Sequence, residues 1–226
     1  MESFICLTGD FMYIDNKRFS FFFKLLIVLM GTYGLYKACF FNKVSLGEHF
    51  SYYTNLSNLI CVIYFLIIIV RTVIVKKIDT KYYGLKGAVV VMIAVTGLVY
   101  NFVLRPFMSD VEGVMDLHSF SNYIVHLVIP VMVILDWLLF DKKGNLKSKY
   151  SIYWLVIPFM YWIFICIRAN FAKPFMYTGS KYPYFFIDIE EFGLGIVIVN
   201  VILAIAAILL LGFILCKIDN KLSKKA

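Results

Sequence analysis

Two short polar segments lie within strongly apolar stretches of the chain. The first, Tyr53-Thr54-Asn55-Leu56-Ser57-Asn58, places Thr54, Ser57 and Asn58 at positions i, i+3 and i+4. In a helix, this spacing puts two hydroxyls and one amide on a single face. Such a face is expected to point into the protein. It could serve chemistry there, or it could simply pack helices together, as small hydroxyl residues do in membranes.

The second segment contains His126, with Asn122 one helical turn earlier on the same face and Pro130 four residues later. His126 lies inside an apolar run, whereas His49 and His118 lie outside such runs. Imidazole titrates near neutral pH and is a common general base, so His126 is a candidate functional residue, with packing as the alternative. Pro130 is expected to kink its helix because it removes a backbone hydrogen bond.

The apolar runs predict the elements that must position these residues. Of the 226 residues, 62% are hydrophobic and 16% are charged, a balance that favours lipid as the solvent. A bilayer core of about 30 Å is crossed by about 20 apolar residues. We therefore predict an all-α integral membrane protein, a polytopic bundle of six transmembrane helices in one domain of residues 1–226. The predicted spans are 19–41, 54–75, 85–104, 120–140, 150–168 and 192–216.

The charged residues predict the orientation of the bundle. The net charge is +8, and the basic residues concentrate in the second and fourth connections and near both chain ends. The positive-inside rule therefore predicts a multi-pass protein of the cell membrane with both termini cytoplasmic. Because this charge encodes topology, we do not expect nucleic-acid binding. Lys24 and Lys37 are expected to extend to the headgroups, and Asp136 is expected to be an interfacial acid.

Motifs for several other chemistries do not occur in the chain. There is no G-x-S-x-G elbow, no H-E-x-x-H pattern and no glycine-rich phosphate loop, and the five cysteines lack the paired spacing of a zinc site. We therefore expect no metal and no cofactor.

The predicted topology places Thr54 and His126 in the same half of the bilayer. Their predicted depths differ by about 10 Å, or two helical turns. A tilt or a shifted helix boundary can absorb that difference. The sequence permits contact between the two side chains without requiring it.

These segments resemble the androgen-induced-gene family of six-helix membrane proteins, which includes the androgen-dependent regulator of tissue-factor-pathway inhibitor and many bacterial relatives. The resemblance rests on the segment from Tyr53 to Asn58, on His126 through Pro130 to Asp136-Trp137, and on Tyr182-Pro183-Tyr184-Phe185-Phe186. The chain looks closest to the bacterial branch. Animal members hydrolyse fatty acid esters of hydroxy fatty acids with an intramembrane threonine and histidine. The resemblance implies that Thr54 is the nucleophile and His126 the base.

Such a hydrolase also needs donors for the oxyanion and, often, a group that orients the imidazole. Asp136 is about 15 Å from His126 along the helix, which is too far for that task. The remaining candidates, also taken as possible substrate-binding residues, are Asn55, Ser57, Asn58, Asn101, Asn122 and Tyr184.

The leading hypothesis is an intramembrane lipid ester hydrolase whose partner is a membrane lipid or fatty-acid ester. It predicts a mostly apolar cavity that reaches Thr54 and His126 and admits water. A non-catalytic channel or transporter would instead need a continuous polar route. A lipid-binding or scaffolding protein would have a dry interface without a ligand-sized cavity. Any oligomeric partner is unknown from the sequence.

Overall fold

The computed structural model describes residues 6–8, 11–41, 44–75, 82–110 and 116–223. Within them, six helical segments are long and apolar enough to cross a membrane, which confirms the predicted all-α polytopic bundle. The first and second spans are the helices Lys17–Phe41 and Tyr53–Val75. The fifth consists of Tyr150–Tyr153 and Val156–Arg168. The sixth, Ile189–Ser223, is longer than predicted at both ends and is kinked at Gly193.

The third and fourth spans each contain a π-helical turn. The third consists of Tyr83–Val99, the π turn Tyr100–Leu104 and a 3-10 turn Arg105–Phe107. The fourth consists of Phe120–Tyr123, the π turn Ile124–Val128 and Ile129–Phe140. Each π turn ends two residues before a proline, Pro106 or Pro130. Proline cannot donate to the helical ladder, so the register changes there. Such π turns are frequent at functional sites.

Smaller elements precede the first two spans. The strands Cys6–Thr8 and Phe11–Tyr13 pair antiparallel, with Cys6 opposite Tyr13. The short helix Leu46–His49 is capped by Ser45, whose hydroxyl accepts a hydrogen bond from the Glu48 N–H. The sequence did not predict the two strands, because three residues are too few for a periodic hydrophobic pattern.

The spans alternate in direction, which gives the bundle two distinct ends. We call the end where the first span begins and the sixth span ends the termini end, and the other the opposite end. An apolar layer of fully buried side chains lies between them, formed by Ile27, Phe65, Ile93, Ile129 and Val133. In the most apolar stretch of each span, 61% of residues are buried in the third and 6% in the sixth. The sixth span is therefore peripheral and surrounded mainly by lipid.

A cluster of buried charges lies at the termini end and corrects two expectations. Lys24 Nζ is 2.8 Å from Asp136 Oδ1, and Lys86 Nζ donates to Asp136 Oδ2. Asp141 Oδ2 is 3.7 Å from Lys86 Nζ. Lys24 is 4% exposed and Asp136 0%, so the predictions that Lys24 reaches the headgroups and that Asp136 is interfacial are both wrong. The sequence did not reveal this because the partners are on different spans. Lys37 is half-buried and borders a cavity at the opposite end.

Candidate active site

Thr54 and His126 are in contact at the opposite end of the bundle. His126 Nε2 is 3.2 Å from Thr54 Oγ1, and His126 Nδ1 is 3.0 Å from the backbone oxygen of Asn122. A carbonyl oxygen can only accept, so Nδ1 carries the hydrogen and Nε2 presents its lone pair to the Thr54 hydroxyl. This is the arrangement of a nucleophile and its general base. The difference in depth between Thr54 and His126 that we expected from the sequence was calculated for upright helices with approximate ends, and it does not separate the two side chains.

Tyr100 holds the plane of the imidazole. Its ring stacks on that of His126 with centroids 3.4 Å apart and planes 14° from parallel. The Asn122 amide donates to the Tyr100 hydroxyl at 2.5 Å and to the Leu117 carbonyl at 2.9 Å. Two π turns therefore meet here, because Tyr100 begins one and His126 lies in the other. Sequence reasoning missed Tyr100. Its only signal was its position in a helical segment that ends at a proline.

Two asparagine side chains stabilise the turn that carries His126. Asn58 Nδ2 donates to the Val125 carbonyl at 3.1 Å, and Asn101 Nδ2 donates to the His126 carbonyl at 2.9 Å. These carbonyls lie five and four residues before Pro130, which has no N–H to offer in either the π or the α register. A buried carbonyl left without a donor is costly. The side-chain amides replace the missing backbone donor and thereby position His126.

The predicted substrate-binding residues fall into two groups. Asn55, Asn122 and Tyr184 border a cavity next to Thr54. Ser57, Asn58 and Asn101 line neither of the two cavities described here. Ser57 instead shares a 2.7 Å hydrogen bond with the Thr96 hydroxyl, and its own hydroxyl donates to the Thr54 carbonyl. The polar face that the sequence singled out therefore both carries the nucleophile and joins the second span to its neighbours.

Two cavities meet at Thr54. The wide cavity has a volume of about 640 Å³ and lies beneath the connections of the opposite end. The narrow cavity has a volume of about 230 Å³ and lies between the third, fifth and sixth spans. Thr54 therefore stands at the junction of a chamber with mixed polar and apolar walls and an almost wholly apolar one. The residues that border both cavities are Thr54, Tyr100, Leu104 and Tyr184.

Tyr184 supplies a hydroxyl beside Thr54. The Tyr53 N–H donates to the Tyr184 oxygen at 2.9 Å, which leaves the phenolic hydrogen for another acceptor. Burial raises the pKa of Tyr184, so the phenol is protonated at neutral pH. Thr54 is also in the first turn of the second span, where the helix dipole is positive.

Comparison of the chain with models of known protein families, with curated proteins and with solved structures finds no significant match. The family resemblance of the sequence therefore stays a hypothesis. Among the residues that the structure describes, no three His, Cys, Asp or Glu side chains are grouped as metal ligands.

Proposed function

We propose that this protein is an intramembrane hydrolase of lipid esters, with Thr54 as nucleophile and His126 as general base. The observation that carries the proposal is the 3.2 Å contact between Thr54 Oγ1 and His126 Nε2 at the junction of the two cavities. The resemblance of the sequence narrows the proposed substrate to fatty acid esters of hydroxy fatty acids. In the proposed cell membrane, with both termini cytoplasmic, the wide cavity faces outward.

In the first half of the reaction, the Thr54 oxygen attacks the ester carbonyl carbon while His126 Nε2 takes the hydroxyl proton. The resulting imidazolium keeps its Nδ1–H bond to the Asn122 carbonyl, whose dipole stabilises the positive charge. The bond from the carbonyl carbon to the alcohol oxygen then breaks. The departing alcohol takes the proton from His126, and the acyl group remains on Thr54 as an ester.

In the second half, water enters from the wide cavity and restores the enzyme. His126 removes a proton from the water as its oxygen attacks the acyl carbon. When the bond to Thr54 breaks, the Thr54 oxygen takes that proton back, and the fatty acid leaves. Each cycle therefore consumes one ester and one water and yields one acid and one alcohol.

The oxyanion that forms in both halves is stabilised by the Tyr184 hydroxyl and by the positive end of the helix dipole of the second span. We expect Tyr184→Phe to lower kcat by about 100-fold, because one oxyanion donor is lost while the aromatic ring remains. Steady-state kinetics on a short soluble ester would measure this. An unchanged kcat in the folded variant would exclude Tyr184 from this role.

The apolar layer between the two ends of the bundle favours hydrolysis over transport. Between His126 and Asp136 on the fourth span, the inward-facing residues Ile129 and Val133 are fully buried and apolar. Cys61 and Phe65 of the second span and Ile93 of the third are likewise 0% exposed. A channel or transporter needs a polar route through this layer.

The deciding experiment is hydrolysis of branched fatty-acid esters by purified protein in detergent. Thr54→Ala and His126→Ala should each abolish turnover, and Thr54→Ser should retain part of it, because serine keeps the nucleophilic hydroxyl. Matched controls are Thr72→Ala on the same span, whose hydroxyl bonds the Ile68 carbonyl, and His118→Ala in an exposed connection. Both controls should behave like the parent. No hydrolysis by the parent across ester lipids, or full activity of Thr54→Ala, would refute the proposal.

A further inference from the structure

The two cavities that meet at Thr54 differ in which catalytic residue they touch. Building on the hydrolase proposed above, we propose that they divide the substrate: the narrow cavity binds the acyl arm of the ester, and the wide cavity binds the alcohol arm. The narrow cavity would then select the acyl chain by its length, and the wide cavity would admit alcohols of varied size and polarity.

The position of His126 assigns the alcohol arm to the wide cavity. His126 borders the wide cavity, and the narrow cavity is reached by Thr54 alone of the pair. The departing alcohol must take its proton from His126 Nε2, so the alcohol has to lie on the side where His126 is accessible. The acyl group stays bonded to Thr54 Oγ1 after the alcohol leaves. It can therefore occupy the cavity that His126 does not touch.

The walls of the narrow cavity suit an acyl chain. The narrow cavity is lined mainly by apolar side chains and follows the sixth span from Asn200 to Leu211, a distance of roughly 16 Å at the rise of an α-helix. Asn200 is already engaged, because its amide donates to the Phe186 carbonyl at 2.9 Å. At the rim, Leu98 is 46% and Phe159 45% exposed on the surface that faces lipid. An acyl chain can thus enter from the bilayer.

The wide cavity suits the other arm. It is almost three times larger, at about 640 Å³ against about 230 Å³, and its walls include Lys37, His49 and Asp188 beside aromatic residues. His49 is 4% exposed, and its Nε2 atom has no hydrogen-bond partner among the described residues. The polar side chains of these walls can bond polar groups of an alcohol arm, which a wholly apolar cavity would leave unpaired. Burial lowers the pKa of His49 to about 4, so the ring is neutral at pH 7.

Three alanines allow the same substitution to be made in each cavity. Ala204 and Ala207 line the narrow cavity one turn apart on the sixth span, with Ala207 farther from the end where Thr54 lies, and Ala38 lines the wide cavity. Ala207→Phe should lower kcat/KM for the longest acyl chains by about 10-fold or more and leave the acetyl ester within about 2-fold of the parent. Ala204→Phe should extend the loss to chains of medium length.

The test uses two series of esters: one with a fixed alcohol and acyl chains of increasing length, and one with a fixed acetyl group and alcohols of increasing size. Ala38→Phe should leave the acyl-length profile unchanged and lower activity on large alcohols. If either phenylalanine variant misfolds, Ala207→Leu provides a milder obstruction. Two results would overturn the division of the substrate. One is that the parent and the folded Ala207 variants show the same dependence of activity on acyl-chain length. The other is that Ala38→Phe, and not Ala207→Phe, shifts the preference to shorter acyl chains. Absence of all hydrolysis by the parent would instead refute the hydrolase itself.

Discussion

The bundle contains two buried polar clusters, one at each end, and they differ in what their polar atoms face. At the termini end, the buried residues Lys24, Lys86, Asp136 and Asp141 form ion pairs with one another. At the opposite end, Thr54 and His126 are neutral partners that border two cavities. The clusters are about 15 Å apart along the fourth span. Burial of a polar group in a membrane protein therefore does not by itself indicate a site for chemistry.

In the charged cluster, Lys24 and Lys86 share the carboxylate of Asp136, and none of the cluster's residues lines either cavity. Lys24 donates to Ser20 Oγ at 2.7 Å as well as to Asp136, and it lies 4.9 Å from the Phe140 ring centroid. Lys86 lies 4.5 Å from the centroid of Phe65. The cluster connects the first, third and fourth spans. By contrast, Thr54 and His126 bond to each other and also border open space, Thr54 in both cavities and His126 in the wide one. Access to a cavity distinguishes the two clusters.

The largest effect on stability should come from breaking the charged cluster. Asp136→Ala leaves two lysines buried without their shared carboxylate, and we expect a loss of about 3–5 kcal/mol in the free energy of unfolding. Thr54→Val removes one hydrogen bond at the other cluster and should cost only about 1 kcal/mol. Unfolding of both variants in the same detergent would compare them. Similar losses in the free energy of unfolding would show that Thr54 contributes as much to stability as the charged cluster does.

A compensated variant separates charge pairing from packing. Replacing Lys24 and Lys86 by Met together with Asp136 by Leu and Asp141 by Asn should restore most of the stability lost in Asp136→Ala, because all four charges of the cluster are then removed. Hydrolytic activity should also return with the fold. Failure to regain stability would mean that the ion pairs do more than neutralise one another.

The next effect concerns the amide that bonds the His126 carbonyl. Asn101→Leu leaves that carbonyl without a donor, so we expect a loss of about 1–3 kcal/mol in unfolding free energy. Displacement of the imidazole should lower kcat by about 10-fold. Adding Pro130→Ala gives the backbone an N–H and should restore part of both. The control Asn170→Leu removes an exposed amide that bonds the Cys166 carbonyl. If the losses caused by Asn101→Leu and Pro130→Ala simply added in the double variant, the Asn101 amide would not be replacing the N–H that Pro130 lacks.

The smallest effect should come from the close approach of the third and fourth spans. A Cβ at Gly97 would be 3.0 Å from Pro130 Cβ and 3.3 Å from the His126 carbonyl oxygen. Gly97→Ala should therefore shift the turn slightly and lower kcat by about 2-fold to 5-fold. Gly195→Ala is the matched control, since a Cβ there meets nothing within 4 Å. Equal kcat values for both variants would show that the turn tolerates the displacement.

Much of this molecule could be predicted from the sequence, and the reason is the bilayer. Lipid offers no hydrogen bonds to the backbone, so each long apolar run must be a helix, and five of the six predicted spans end within about three residues of the helical segments observed. Thr54 and His126 could be selected for the same reason, because polar groups in apolar runs are costly without a role.

The tertiary structure decided which polar residues face a cavity and which face each other. Asp136 and His126 are both polar residues of the fourth span, yet one pairs with Lys24 and Lys86 and the other with Thr54. Periodicity along one helix shows only which face is polar. Distances between spans decide three further features: the partner on that face, the donor that replaces the missing N–H of Pro130, and the space beside Thr54. Those distances are determined by packing of side chains far apart in the sequence.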